Sequence, residues 1–274
     1  MNKQRAKVGF VFSTKDRVEF TLRSLRSIDT EGGFDLIWVD GSDTPEGKAL
    51  PEKVKLSNCR LAEVHYDIKG GPDNAIRFGL QRLLDLGYDY CGLIENDIEF
   101  KPGWFSKLME LFKLGKSDGL SVGAVTVRAF KEWVLSYKPN YAILWTVGAG
   151  MVLFRRKAAE IVLNTYGAES IQNLRTYYLK EFGIDIAKPC LRNLKTSLSR
   201  MLLIYTRLKN PTCDYAYSMH LYKYGLASIG SITPMAYNMD MYSVILHHKP
   251  TWYVSHPVQA ALSFYKRLRI VIRG

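Results

Sequence analysis

An apolar run, Tyr90-Cys91-Gly92-Leu93-Ile94, ends abruptly in Glu95-Asn96-Asp97, and no other stretch constrains the fold as tightly. The run has the composition of a buried strand, and the acidic triplet stands where that strand emerges. Charged side chains cannot continue into a core, so the strand must stop there at an open end. In an open α/β sheet, ligands bind outside the carboxyl ends of the strands. Two carboxylates flanking an amide at such an end are hard oxygen donors, of the kind that hold Mg²⁺ or Mn²⁺ against a diphosphate. The junction therefore points to nucleotide chemistry.

The flanking sequence repeats the pattern. Residues 8–13 form an apolar run followed by the polar loop Thr14-Lys15-Asp16-Arg17. Val18, Leu22, Leu25 and Ile28 then recur at helical spacing. A second strand over 34–39 closes on the turn cluster Asp40-Gly41-Ser42-Asp43, and a third covers 61–66. Gly70-Gly71-Pro72-Asp73 breaks the chain and opens a helix carrying Ile76, Leu80, Leu83 and Leu84. Strands alternating with helices in this way specify βαβ units and a largely parallel sheet. Further on, the spacing predicts a helix over 104–112 and strands over 120–127, 143–154 and 227–232. Helices are expected over 170–182, 191–208 and 214–224, the last stopping at Gly225. A terminal amphipathic helix is expected over 256–272.

Composition narrows the function classes. With 274 residues and 47% hydrophobic content, the chain can bury a large core. No run of about 18 apolar residues offers a membrane span, and the first apolar run is too short for a signal peptide. Cys59, Cys91, Cys190 and Cys213 form no CxxC pair, so they read as reduced thiols of a cytoplasmic protein rather than a zinc site. The net charge of +12 is uneven. Residues 165–213 hold eight Lys or Arg against three acids, and no Asp or Glu follows Met241. Such a surface attracts anions: phosphorylated substrates, acidic lipid or nucleic acid. No nucleic-acid recognition module is visible, and acidic strand ends would repel phosphates without a metal.

Gly41–Ala49, GSDTPEGKA, lacks both the spacing and the Ser/Thr of a phosphate loop. Gly148-Ala149-Gly150 begins like a dinucleotide fingerprint but continues wrongly, which leaves a packing role. What remains is an ordered set at the strand ends: Ser13-Thr14, Asp40, Gly70-Gly71, Glu95-Asn96-Asp97, Gly148-Ala149-Gly150 and Asp214.

Taken together, this set resembles the family 2 glycosyltransferases of the GT-A fold, over residues 8–230. IWVDGSD resembles that family's nucleoside-binding strand and turn. YCGLIENDIEFKPGW resembles its metal-binding triplet and Pro-Gly-Trp helix start, with Glu95 where Asp is more usual. CDYAYSMHLYKYG resembles the helix that opens on the catalytic base. The resemblance implies a Rossmann-like, mixed and mainly parallel sheet flanked by helices. Residues 1–248 would form one domain with a helical insertion at 165–213, and 249–274 a basic amphipathic segment.

It also implies transfer of a sugar from a UDP- or GDP-linked donor to a glycan or lipid-linked acceptor. Ser13, Thr14, Asp40, Gly71, Glu95 and Asn96 would bind the donor. Asp97, Glu95 and His247 would hold Mn²⁺ or Mg²⁺. Asp214 would act as general base in an inverting reaction. Each has a plainer alternative: Asp40 as a turn cap, Asp214 as a helix N-cap, Ser13-Thr14 as a strand end, and Asp16 and Arg17 as helix-start residues. The basic C-terminal helix is either packed on the core or lies on the inner membrane surface. A sugar nucleotidyltransferase is the nearest enzymatic rival, but FSTKDR lacks the glycines of its first loop. A catalytically silent nucleotide- or nucleic-acid-binding protein is the rival from another class.

Overall fold

The computed structural model describes residues 6–148, 150–164, 218 and 220–239. The chain divides into two compact units, Met1–Gly167 with Cys213–Tyr237, and Ala168–Thr212 with Asn238–Gly274. The described fold belongs almost wholly to the first unit. The proposed insertion, the C-terminal segment, Asp214 and His247 lie outside the described residues.

The first unit opens with β1 (Val8–Thr14), α1 (Val18–Ile28) and β2 (Asp35–Asp40). Two single turns follow, α2 (Pro45–Lys48) and α3 (Leu50–Lys53), then β3 (Arg60–His65), α4 (Gly71–Asp85), β4 (Tyr90–Glu95) and β5 (Ile98–Phe100). Next come α5 (Trp104–Ser117), β6 (Val122–Thr126), β7 (Val134–Tyr137), β8 (Ala142–Leu144), β9 (Met151–Arg155), α6 (Arg156–Asn164) and β10 (Ala227–Gly230).

Among the described residues, nine strands form one sheet in the order β3-β2-β1-β4-β9-β6-β10-β8-β7. Strands β3, β2, β1 and β4 are parallel. Strand β9 runs antiparallel to both β4 and β6, and β10 is parallel to β6. The sheet is thus mixed and mainly parallel, flanked by helices, as the strand and helix alternation requires.

Covering both faces explains the composition of the inner strands. Phe10, Phe12, Leu36 and Trp38 point into one apolar layer with Leu25, Ile28, Trp104 and Phe105. Val11, Ile37, Val39 and Leu93 point the other way, against Ile76, Leu80, Leu83, Ala158 and Val162. Alternate residues serve opposite layers, so strands buried twice read as unbroken hydrophobic runs. The first layer is rich in aromatics: the rings of Phe10, Phe34, Trp104 and Phe105 meet mostly edge-to-face at centroid separations of 4.8–6.2 Å.

The chain order decides where a ligand can enter. From β1 the chain winds outward through α1 to β2 and β3, then crosses back by α4 to β4 on the other side of β1. The two crossovers pack on opposite faces, leaving a crevice at the carboxyl ends of β1 and β4. Glu63 on β3 fixes α4 by accepting two hydrogen bonds from Arg82, at 2.8 Å each. That guanidinium, with help from His65, holds the Glu63 carboxyl down to about 2.

Several elements differ from expectation. The run 143–154 is not one strand: β8 ends at Leu144, and β9 begins only at Met151. The intervening Trp145, Thr146 and Val147 are buried, so apolar composition concealed a loop. Helix α5 continues to Ser117, and α6 follows β9 directly. The helix containing 218 and 220–223 does end at Gly225, whose φ of 69° is left-handed, and Leu226 N closes the turn on Leu221 O.

Candidate functional site

A cleft of ≈ 390 Å³ occupies the β1/β4 crevice. Ser13, Thr14, Lys15 and Arg17 line it from the end of β1. Gly41, Ile68 and Lys69 line it from the neighbouring loops, and Glu95, Asn96 and Asp97 from the end of β4. The N-terminus of α4 contributes Gly70, Gly71, Pro72 and Ala75. Of the expected site residues, the structure brings Ser13, Thr14, Gly71, Glu95, Asn96 and Asp97 together. Register explains the first contact, since Ser13 lies directly beside Glu95 across the β1–β4 pair.

The start of α4 is built for close approach. Gly70 and Gly71 have φ of 100° and 81°, a left-handed conformation that costs other residues about 1–2 kcal/mol each. Pro72 then sits in the first turn, where its missing N–H removes nothing. The opening turn of a 15-residue helix thereby meets the cleft with unsatisfied backbone N–H groups, which favour an anion.

Asp40 stands one residue behind the cleft wall and is almost wholly buried. Its Oδ1 accepts from Thr14 Oγ1 at 2.7 Å and from Ser42 Oγ at 2.6 Å. Thr14 Oγ1 in turn accepts from Trp38 Nε1 at 2.8 Å. Asp40 Oδ2 is buried with no hydrogen-bond partner. The carboxylate therefore does knit the turn, and keeps one acceptor unspent.

Asn96 borders the cleft, but its amide is turned inward. Nδ2 donates to Thr21 Oγ1 at 2.9 Å, tying the end of β4 to α1. Glu95 is half-buried, and its N–H donates to Gly150 O at 3.0 Å. A Cβ at Gly150 would stand 3.0 Å from Glu95 Oε2, and one at Gly148 would stand 2.8 Å from the Trp133 ring. The packing role expected of these glycines is thus specific: Gly150 leaves room for the Glu95 carboxylate. Gly150→Ala should shift that carboxylate and weaken nucleotide binding severalfold, with a melting temperature close to wild type. Calorimetry of nucleotide binding beside a thermal melt checks this, and unchanged binding would refute it.

Sequence reasoning assigned Asp16 and Arg17 to a helix start. The structure places both directly before α1, Arg17 next to its first turn, and gives each a further contact. Asp16 is left-handed (φ 52°), as is Arg17 (φ 54°), which precedes the first turn of α1. Asp16 Oδ1 accepts from Thr44 N at 2.9 Å, Thr44 Oγ1 at 2.7 Å and Asp43 N at 3.1 Å. The hydrogen bonds from Thr44 lead in holding its carboxyl below the usual range. Asp16 N donates to Ser42 Oγ at 2.8 Å. These bonds lock the loop after β1 onto the loop after β2, and hold two strained residues in place.

The consequence is a basic rim. Arg17 Nη1 lies 3.6 Å from Asp97 Oδ2. Lys15 and Lys69 flank Asp43 at 3.2 and 2.7 Å. Lys69 also donates to Gly41 O and Ser42 O. Lys15 and Arg17 belong to the loop after β1 and Lys69 to the loop after β3, so the sequence does not show that they share one rim. The hint available was the polar loop after each strand.

Cys59 and Cys91 take no part. Burial pushes both thiols up to about 12, so they behave as core atoms.

Among the described residues, no three His, Cys, Asp or Glu side chains converge on a metal position. The carboxylates that line the cleft are those of Glu95 and Asp97. Two carboxylates suit an octahedral cation that takes its other ligands from phosphate and water, so the residues fit a divalent ion shared with a bound diphosphate.

No family model matches the chain, and no curated protein matches it. Among solved structures, the crystal structure of S. aureus TarS is similar, with a TM-score of 0.43 and 12% identity. The match covers 77% of this chain and 41% of that one, so the chain spans less than half that protein's length.

Proposed function

We propose that the chain is a glycosyltransferase, moving a sugar from a nucleoside-diphosphate donor to a glycan or lipid-linked acceptor. The observation that carries this reading is a single cleft lined both by Glu95 and Asp97 and by the α4 N-terminus and Lys69. Such a site suits a ligand with a strongly anionic centre and a neutral, hydroxyl-rich remainder. The α4 N–H groups would receive phosphate oxygens, with the positive charge of Lys69 held beside them by Gly41, Ser42 and Asp43. Asp40 Oδ2, buried and unpartnered, is the acceptor assigned to a donor group on the nucleoside. Thr14 and Ser42 keep that carboxylate oriented.

Asp97, with Glu95, would hold Mn²⁺ or Mg²⁺ against the diphosphate, where the ion neutralises charge on the leaving group. His247 is assigned to the same ion and lies outside the described residues. Asp214, also outside them, is assigned the acceptor proton. The acceptor oxygen bonds to the anomeric carbon from one face as the bond to the diphosphate breaks on the other. This opposite-face displacement would invert the sugar's configuration, and Asp214 would take the proton that the acceptor hydroxyl loses.

Among the described residues, no helix is long and apolar enough to cross a membrane. Contact with a membrane surface through 249–274 remains part of the proposal, since it would bring the enzyme to a lipid-linked acceptor.

A thermal-shift panel of nucleoside diphosphates, with and without Mn²⁺, tests the reading. One nucleotide, UDP or GDP first, should raise the melting temperature by several degrees more with Mn²⁺ than without. No stabilisation by any nucleotide would remove the proposal.

A further inference from the structure

The cleft contains a cation already. Arg17 lines it, and its guanidinium lies 3.6 Å from Asp97 Oδ2. The Asp97 side chain is 13% exposed, that of Arg17 40%. Reaching this position requires a left-handed backbone at Arg17, a conformation that a long side chain rarely adopts. The neighbours impose it. Asp16 is fixed from both sides by Ser42 and Thr44, and Thr21 Oγ1 donates to Arg17 O at 3.2 Å. Backbone strain held by so many bonds places one charge at one point, the carboxylate best situated to ligate a metal.

We propose that Arg17 is a counter-cation for Asp97, standing in for the divalent ion until a nucleoside diphosphate brings one. This rests on the donor-site reading above and adds a regulatory residue to it. A guanidinium beside Asp97 neutralises the carboxylate and repels a free divalent ion, so metal alone binds weakly. A metal carried on a diphosphate arrives with its charge largely cancelled, and the phosphates offer Arg17 a new partner. The exchange is feasible because the pair is long, at 3.6 Å, and open to solvent on its Arg17 side. The protein would thereby avoid holding metal without a nucleotide.

The test measures Mn²⁺ binding by electron paramagnetic resonance, without nucleotide and with saturating UDP or GDP. It compares wild type, Arg17→Asn and Arg17→Lys. Asparagine tolerates the left-handed region better than arginine does, so Arg17→Asn removes the charge without added backbone strain. Arg17→Asn should bind Mn²⁺ alone about tenfold more tightly than wild type. Arg17→Lys, which keeps the charge, should bind it as weakly as wild type. A purely structural role for Arg17 predicts no gain in either variant. If Arg17→Asn binds Mn²⁺ alone no more tightly than wild type, while wild type binds it with nucleotide, the counter-cation is overturned and the donor site survives. If wild type retains no Mn²⁺ with either nucleotide, both proposals fall.

Discussion

Replacing Asp97 with asparagine is expected to abolish transfer and to leave the fold standing. The amide keeps the shape of the carboxylate but carries no charge, so it is a poor ligand for Mn²⁺ or Mg²⁺. Loss of several kcal/mol of charge stabilisation at the leaving diphosphate corresponds to about a thousandfold or more in rate. The ion pair to Arg17 is lost as well, at a cost of up to about 1 kcal/mol in stability. The measurement is sugar release or transfer from the donor identified by the nucleotide panel, beside a melt with and without Mn²⁺. The variant should melt close to wild type and lose the metal-dependent part of the nucleotide shift. Wild-type turnover by Asp97→Asn would end the metal assignment.

The second large effect is expected at Asp40, and there it falls on stability and binding together. Asp40→Ala removes the acceptor for Thr14 Oγ1 and Ser42 Oγ in a region almost closed to solvent. Leaving buried hydroxyls without a partner costs about 1–3 kcal/mol. The loss is partly offset, because the carboxylate's own burial is relieved and Oδ2 was already unpaired. A net destabilisation of about 2 kcal/mol is expected in a denaturant titration. Thr14, Ser42 and Asp16 are linked through the same bonds, so the loops after β1 and β2 should both loosen. Nucleotide stabilisation should then disappear even where the protein remains folded. Asp40→Asn tests the two effects separately. It can still accept the Thr14 and Ser42 bonds, so it should recover most of the stability while weakening nucleotide binding. Full nucleotide binding by Asp40→Ala would make Asp40 a turn cap and nothing more.

Much of the fold was legible because it was written locally. Apolar runs mark β1, β2 and β4 to within a residue, and the helical spacing of Val18, Leu22, Leu25 and Ile28 gives α1 its observed bounds. The failures also have a physical cause. Trp145, Thr146 and Val147 are buried without being a strand, and burial rather than strand geometry made the run look continuous. Helix α6 was missed because its basic start, Arg156-Lys157, hides the apolar stripe of Ala158, Ala159, Ile161 and Val162.

The candidate site divides in the same way. Glu95 and Asp97 could be placed at a strand end from the sequence, since an acidic triplet after an apolar run has few other positions. The inward turn of Asn96 toward Thr21 could not, because its partner is 75 residues away. Lys15, Arg17 and Lys69 look like ordinary loop charges until the loops after β1 and β3 converge on the cleft.

Sequence periodicity is set by side-chain spacing along one element, so by itself it determined β1, β2 and β4, the helices α1 and α4 and the acidic end of β4. Which charges face one another depends on how separate elements pack. Only the tertiary structure could bring Arg17 to Asp97, close Asp40 into a hydrogen-bonded knot, and aim the α4 N-terminus at the cleft they share.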